Sequence, residues 1–317
     1  MNVALFTINP NFIGAIRSEL QKYHDVREYI HTSNESFNLL NIHTLMRWAD
    51  VAFFDFCQYP LTVATYFVDK PCKIVARLMG LEIYRTNSII WKKVDHLILL
   101  PSHKYRQIPD VKSHSFLPVG TDIRTFKPPI VKSFQKNICI VGNVLPRKRV
   151  YTTIQTLYPL LKRGWTLHIR DGQGNFRAEL RQEYKAFIKE LISTLQLEDQ
   201  VHWHKWTSLP EYVKFLQSMD IIISNSMMEG YHKAIFDAMS CGVVPFVNCW
   251  LGATDLFPRK FIFYTQESLK RKILKWEKQS YNEKLALSNE VREFVKQFHD
   301  ERKVAKQIRK IIEEVTC

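Results

Sequence analysis

Short apolar runs alternate along this chain with longer stretches of helical period, a pattern that predicts strands joined by helical crossovers. In the first part the runs Val3–Thr7, Val51–Phe54, Lys73–Leu78 and His96–Leu100 are apolar nearly throughout, as strands covered on both faces by helices should be. Ile13–His24 follows the first of them with a helical period.

Around Thr125–Lys136 the pattern breaks. FKPPIVKSFQK has two adjacent prolines, alternating charge and no helical period, so it predicts a connector. The series then restarts with NICIVGNV, a buried strand ending in glycine. It continues with a helix over Val150–Leu161, a strand over Trp165–Arg170, a turn over Asp171, Gly172, Gln173 and Gly174, and a helix over Phe176–Leu195. A strand at Val201–His204, a helix at Leu209–Ser218 and a strand at Ile221–Ser224 come next. After a further helix and the strand Val243–Val247, the chain closes with helical periods over Glu267–Lys278, Tyr281–Phe298 and Glu301–Val315. This order predicts an α/β protein of two Rossmann-like domains facing each other across a cleft, residues 1–130 and 131–300, with 301–317 as a separate last helix.

The stretch with the most chemistry is EGYHKAIFDAMSCGVVPFV, Glu229–Val247. A strand ends at Ser224, NSMMEG turns the corner, and a helix is expected to begin near Tyr231 or His232. Unpaired N–H groups and the dipole at such a helix start favour a phosphate. Glu229 would stand beside that anion site and Asp237 further into the helix; each carboxylate can accept from two adjacent hydroxyls. Two carboxylates flanking an anion site suit a nucleotide-sugar.

Composition narrows the class. The chain has 317 residues, 46% of them hydrophobic and 13% aromatic, which excludes a disordered polymer. Its net charge of +14 draws anionic partners: a nucleotide, an anionic acceptor, a membrane surface or nucleic acid. Basic residues crowd the last quarter, with acidic ones interspersed, as on the solvated faces of amphipathic helices. The six cysteines show no C-x-x-C pair and no metal-ligand spacing, so a reducing, cytoplasmic setting is expected, peripheral to a membrane if the acceptor is lipid. NVALFTI is too short to span a bilayer. His202 and His204 share one face of a strand, but no third ligand stands at suitable spacing, so no metal site is expected.

Three segments in order, VGNVLPRKRV (Val141–Val150), DGQG (Asp171–Gly174) and EGYHKAIFDAMSCG (Glu229–Gly242), together resemble the retaining GT-B glycosyltransferases of family four, the group 1 transferases. LPVGTDIRTFKP (Leu117–Pro128) is similar to the segment closing that family's N-terminal domain. The resemblance implies a metal-independent hexosyltransferase that takes a nucleotide diphosphate-sugar and needs no further cofactor. It implies that the domain 131–300 binds the donor, that the domain 1–130 takes the acceptor, and that the last helix packs back on the latter. Glu229, the first carboxylate of the E-x7-E signature, would contact the donor sugar; Lys148 would offset diphosphate charge; both count as catalytic. Asp237 would bind the ribose. Asn143, Gly230, Tyr231, His232, Lys233, Gly172 and Gly14 would complete the donor site, and Arg77 and Glu82 would face the acceptor.

This sequence also departs from the family. Asp237 stands where the family has Glu, Asn143 where an arginine contacts the diphosphate, with Arg147 or Arg149 as substitutes nearby. His232 replaces a glycine at the helix start, and Met79 aligns with the family's histidine. The glycine-rich loop is reduced to Gly14. These departures keep two rivals open: a degenerate GT-B protein binding a sugar nucleotide or a protein partner without turnover, and a transferase acting on nucleic acid.

Overall fold

The computed structural model describes residues 1–31, 39–172 and 178–316. Gln173, Gly174 and the expected helix start at Phe176 lie outside the described residues. In chain order the strands are β1 (Asn2–Thr7), β2 (Asp25–Ile30), β3 (Val51–Asp55), β4 (Lys73–Arg77), β5 (His96–Leu99), β6 (His114–Phe116), β7 (Asn137–Val141), β8 (Thr166–Arg170), β9 (Val201–His204), β10 (Ile221–Ser224), β11 (Val244–Asn248) and β12 (Ile262–Phe263). The helices are α1 (Gly14–Leu20), α2 (Leu39–Trp48), α3 (Tyr59–Tyr66), α4 (Val150–Leu161), α5 (Ala178–Thr194), α6 (Leu209–Gln217), α7 (Lys233–Ser240), α8 (Ala253–Leu256), α9 (Gln266–Glu277), α10 (Tyr281–Phe298) and α11 (Glu301–Thr316).

Two compact units form, residues 1–120 with 299–317, and residues 121–298. The first holds a six-stranded sheet in the order β2-β1-β3-β4-β5-β6, every pair parallel. Its inner strands are the apolar runs: β3 is buried at every residue. The amphipathic α11 completes this unit's second layer. Val304, Ala305, Ile308 and Ile312 pack with Ile13, Ile16 and Leu20 of and beside α1. Arg309 adds an ion pair to Glu19 at 3.2 Å. Gly120 has φ +90°, and a Cβ there would lie 2.6 Å from the Glu301 Cα, so only glycine admits the backbone of α11 this closely.

The second unit holds a parallel sheet in the order β12-β11-β10-β7-β8-β9. Read from β9, this is the doubly wound order 3-2-1-4-5-6, whose winding reverses between β7 and β10; ligands of such sheets sit at that point, beyond the strands' carboxyl ends. The first unit carries the other common doubly wound order, 2-1-3-4-5, extended by β6. The connector lies with the second unit: Phe126 enters its core, and the Lys132 ammonium donates to the Met219 carbonyl at 2.6 Å. Asp122 fixes the turn before it, its Oδ1 accepting from the Arg124 N–H at 3.1 Å.

Among the described residues no helix is long and apolar enough to cross a membrane. The five described cysteines are unbridged: Cys57, Cys72, Cys139 and Cys241 are buried and Cys249 is exposed.

Candidate functional site

The loops after β7 and β10 meet at the switch point of the second sheet. After β7, Gly142 takes φ +121°. A short 3-10 turn, Pro146–Lys148, follows, and Arg149 reverses the chain at φ 52° and ψ 39° before α4 begins. A non-glycine residue pays about 1–2 kcal/mol for that left-handed conformation. After β10, the loop 225–232 leads into α7, which starts at Lys233 with His232 as its N-cap, one residue later than the pattern predicts. The first N–H groups of a helix have no partner within it.

Lys148 and Glu229, expected together from the motifs, are in contact: Lys148 Nζ donates to Glu229 Oε1 at 2.5 Å. Both are nearly inaccessible, 8% and 6% exposed. Arg147 Nη1 lies 3.1 Å from the same oxygen and also donates to the Met228 carbonyl at 3.0 Å. Arg147, one of the two basic residues expected as substitutes for the missing arginine, thus reaches Glu229 from its own position. Burial by itself would raise the Glu229 carboxyl, but the charges of Lys148 and Arg147 hold it well below the usual carboxylate range. Burial pushes the Lys148 ammonium down, and Glu229 opposes that. Two cations against one carboxylate leave this corner with a residual positive charge.

His232 points inward from the start of α7. Its Nδ1 is 2.9 Å from Ser224 Oγ and its Nε2 3.0 Å from the Val141 carbonyl. A carbonyl only accepts, so Nε2 carries the hydrogen and Nδ1 accepts from the serine hydroxyl. Burial and the neighbouring Lys148 charge lower the imidazole to about 4. Ser224 ends β10 and was not singled out by the sequence pattern.

Asp237, one turn into α7, is buried; Lys233 donates to its Oδ1 at 2.7 Å and Thr121 Oγ1 at 3.0 Å. Burial raises its carboxyl despite these two donors. The Tyr231 ring stacks on Phe236 at 4.5 Å, holding the segment from Gly230 into the helix. Asn143 meets Gly172 closely: a Cβ at 172 would fall 2.3 Å from Asn143 Oδ1. Asp171 beside it accepts from the Val144 N–H at 3.0 Å and from Arg181 at 2.8 Å, tying the loops after β7 and β8.

A network absent from the sequence reading supports the Glu229 loop from below. Buried Asn225 donates to Thr153 Oγ1 at 3.1 Å and to Gln266 Oε1 at 3.0 Å, and Gln266 Nε2 donates back to Asn225 Oδ1 at 3.1 Å. The loop is so fastened to α4 and α9. The signal was available in principle, since a buried amide just beyond the strand Ile221–Ser224 needs partners.

The remaining expected residues belong to the first unit. Gly14 is the first residue of α1, with nothing within 4 Å of a would-be Cβ. Arg77 is fully buried, its Nη2 2.6 Å from Asp55 Oδ1. Glu82 does not pair with it; its Oε2 accepts from the Cys57 and Met79 N–H groups at 3.0 Å each, and its Oε1 from Gln58 at 2.6 Å. Burial raises the Glu82 carboxyl to about 7. His168, on β8, stands with His202 and His204, its Nδ1 3.0 Å from His204 Nε2. Cross-strand register supplies this third imidazole, which spacing along the chain could not show. Among the described residues, no group of three or more acidic, histidine or cysteine side chains is arranged to hold a metal ion.

Several solved structures match nearly the whole chain. A structure of Anabaena HepE in complex with UDP aligns with TM-score 0.77 at 14% identity, over 99% of this chain and all of that one. Sucrose-phosphate synthase from Thermosynechococcus elongatus aligns with TM-score 0.77 at 12% identity, over 99% of each. A glycosyltransferase from Rickettsia africae gives 0.74 at 15% identity, over 99% of this chain and 98% of that one. At these identities the likeness shows the fold, two parallel α/β sheets of the GT-B kind. The family model for glycosyl transferases group 1 matches residues 123–294, more than half the chain and the whole stretch that carries Lys148, Glu229 and Asp237. The chain belongs to the group 1 glycosyl transferases.

Proposed function

We propose that the protein transfers a hexose from a nucleotide diphosphate-sugar to an acceptor hydroxyl, with retention of anomeric configuration and without a metal ion. The observation that carries this reading is the buried Lys148–Glu229 contact, flanked by Arg147, at the switch point where α7 starts. The residual positive charge and the helix N-terminus suit a diphosphate, and they stabilise the charge that develops on it as the glycosidic bond breaks. That is the part a divalent cation plays in other transferases.

Glu229, kept ionised by its cations, accepts from the donor-sugar hydroxyls. Asp237 accepts from the ribose, and Asn143, Gly172 and the segment Gly230–Lys233 line the nucleotide. The anomeric carbon loses its bond to the diphosphate oxygen, which leaves with the electron pair. The acceptor oxygen bonds to that carbon from the same face and passes its proton to the departing phosphate. Group 1 membership supports this scheme, as do the complexes of HepE with UDP and with UDP-glucose. The acceptor is taken through the first unit, where Glu82, at about 7, titrates near neutrality. With its basic surface the enzyme works in the cytoplasm against an anionic acceptor or membrane face.

A donor-hydrolysis assay across a panel of nucleotide-sugars tests this reading. Release of sugar and nucleoside diphosphate from one donor, lost in Lys148→Ala, is the expected result. Binding without release would instead make the chain a sugar-nucleotide-binding protein.

A further inference from the structure

The His232 side chain stands in a place where its own charge is of no use to a donor. It faces into the protein, across the line between β7 and β10, and is 6% exposed. One ring nitrogen is fixed by the Ser224 hydroxyl at the end of β10, the other by the Val141 carbonyl at the end of β7. The imidazole therefore staples the two strands on either side of the switch point. Its Nε2 also lies 3.4 Å from Lys148 Nζ. Since the hydrogen on Nε2 already goes to Val141, that nitrogen offers Lys148 no lone pair. The contact is a wall, not a hydrogen bond.

Gly142 lies beside this wall, at ordinary contact distance. A Cβ there would sit 3.7 Å from His232 Nε2 and 3.8 Å from Lys148 Nζ, so the three groups meet at one point. Backed by a ring that cannot rotate without losing both hydrogen bonds, the ammonium keeps Glu229 as its partner. Burial holds the imidazole neutral at ordinary pH, so the ring itself adds no charge against Lys148.

We infer that His232 is a positioning residue: its doubly pinned imidazole sets the Lys148 ammonium against Glu229 and so fixes the cation that meets the donor diphosphate. The last clause rests on the proposed function; the positioning itself does not.

The test reads Lys148 directly. Intact protein is acetylated with a small amine-reactive ester, and the rate at each lysine is followed by mass spectrometry in wild type, His232→Ala and His232→Gln. Lys132, equally buried in the same unit and bound to carbonyls of residues 217 and 219, serves as the internal control. Losing the wall and its buried hydrogen bonds is expected to raise the Lys148 rate by about tenfold or more in the alanine protein. The Lys132 rate should stay unchanged, and glutamine, which can still donate to Val141, should restore most of the protection. If Lys148 and Lys132 speed up together, the histidine is only a general packing group and the inference falls. It falls equally if neither changes. Titration of wild type with nucleoside diphosphates separates the two levels: selective exposure of Lys148 in a protein that binds no nucleoside diphosphate would leave the positioning standing and overturn the donor reading.

Discussion

Lys148 Nζ and Glu229 Oε1 lie 2.5 Å apart, from loops 81 residues apart in sequence that follow neighbouring strands. Removing one partner of such a buried pair leaves the other uncompensated, at a cost of about 3–5 kcal/mol. Glu229→Ala is therefore expected to lose stability as well as activity, in contrast to a purely surface catalytic carboxylate. Replacing both, Lys148→Met with Glu229→Leu, should recover most of the stability and none of the activity. Urea unfolding of the two single variants and the double variant measures the coupling; additive losses would show the pair to be energetically independent.

Acid should unfold the protein earlier than its surface charge suggests. Burial lowers His103, His168 and His232 to about 4 and His299 to about 3. Above the unfolded value near 6.5 both states are neutral at these sites; as pH falls below it the unfolded chain takes up protons that the folded one refuses, so stability is lost from about pH 6.5 down to 4. Glu82, raised to about 7, works the other way, since the folded state binds its proton first. Burial also raises Asp55, Asp220 and Asp237 and also lowers His96 and His204, so six imidazoles against four carboxyls leave a net loss on acidification. Urea midpoints measured from pH 6.5 to pH 5 should fall steadily, and a flat profile would contradict the burial of these imidazoles.

Two glycines should respond in opposite ways. Gly242 follows α7 at φ +78°, and a Cβ there would lie 2.3 Å from Ser288 Oγ, so Gly242→Ala should cost about 2 kcal/mol or more. Gly14 opens α1 with empty space around it, and Gly14→Ala should add about 0.4–1 kcal/mol of stability. Thermal melts decide both. A Gly14→Ala protein of higher melting temperature but weaker donor binding would keep Gly14 in the donor site.

Arg77 is wholly buried against Asp55, and both end strands of the same sheet. Arg77→Ala should destabilise the first unit by about 3–5 kcal/mol. Its effect on activity should follow the fraction folded, which titration of activity against temperature would show. A change in acceptor KM in a fully folded variant would return Arg77 to the acceptor.

Much of this architecture is legible in the sequence because parallel strands buried on both faces are written as apolar runs. Ile221–Ser224 and Val150–Leu161 fall where the pattern puts them. The edge strand β2 escapes because Asp25, Arg27 and Glu28 break the apolar signal, and β12, at two residues, is too short to show a period. For the site, the order of motifs brings Lys148 and Glu229 to one place, and the structure adds what linear spacing does not encode. The reach of Arg147 to Glu229, the inward turn of His232 and the Asn225–Gln266 amide pair all depend on which strands are neighbours. That order is a property of sheet topology, not of local pattern.

The central claim is that this corner of the second unit is a cradle for a diphosphate. Calorimetric titration of the intact protein with matched nucleoside mono- and diphosphates tests it most directly. One base is expected to bind as the diphosphate at least about tenfold more tightly than as the monophosphate, and Lys148→Met should erase that difference. Equal affinity for the two, or no binding by any nucleotide, would contradict the account.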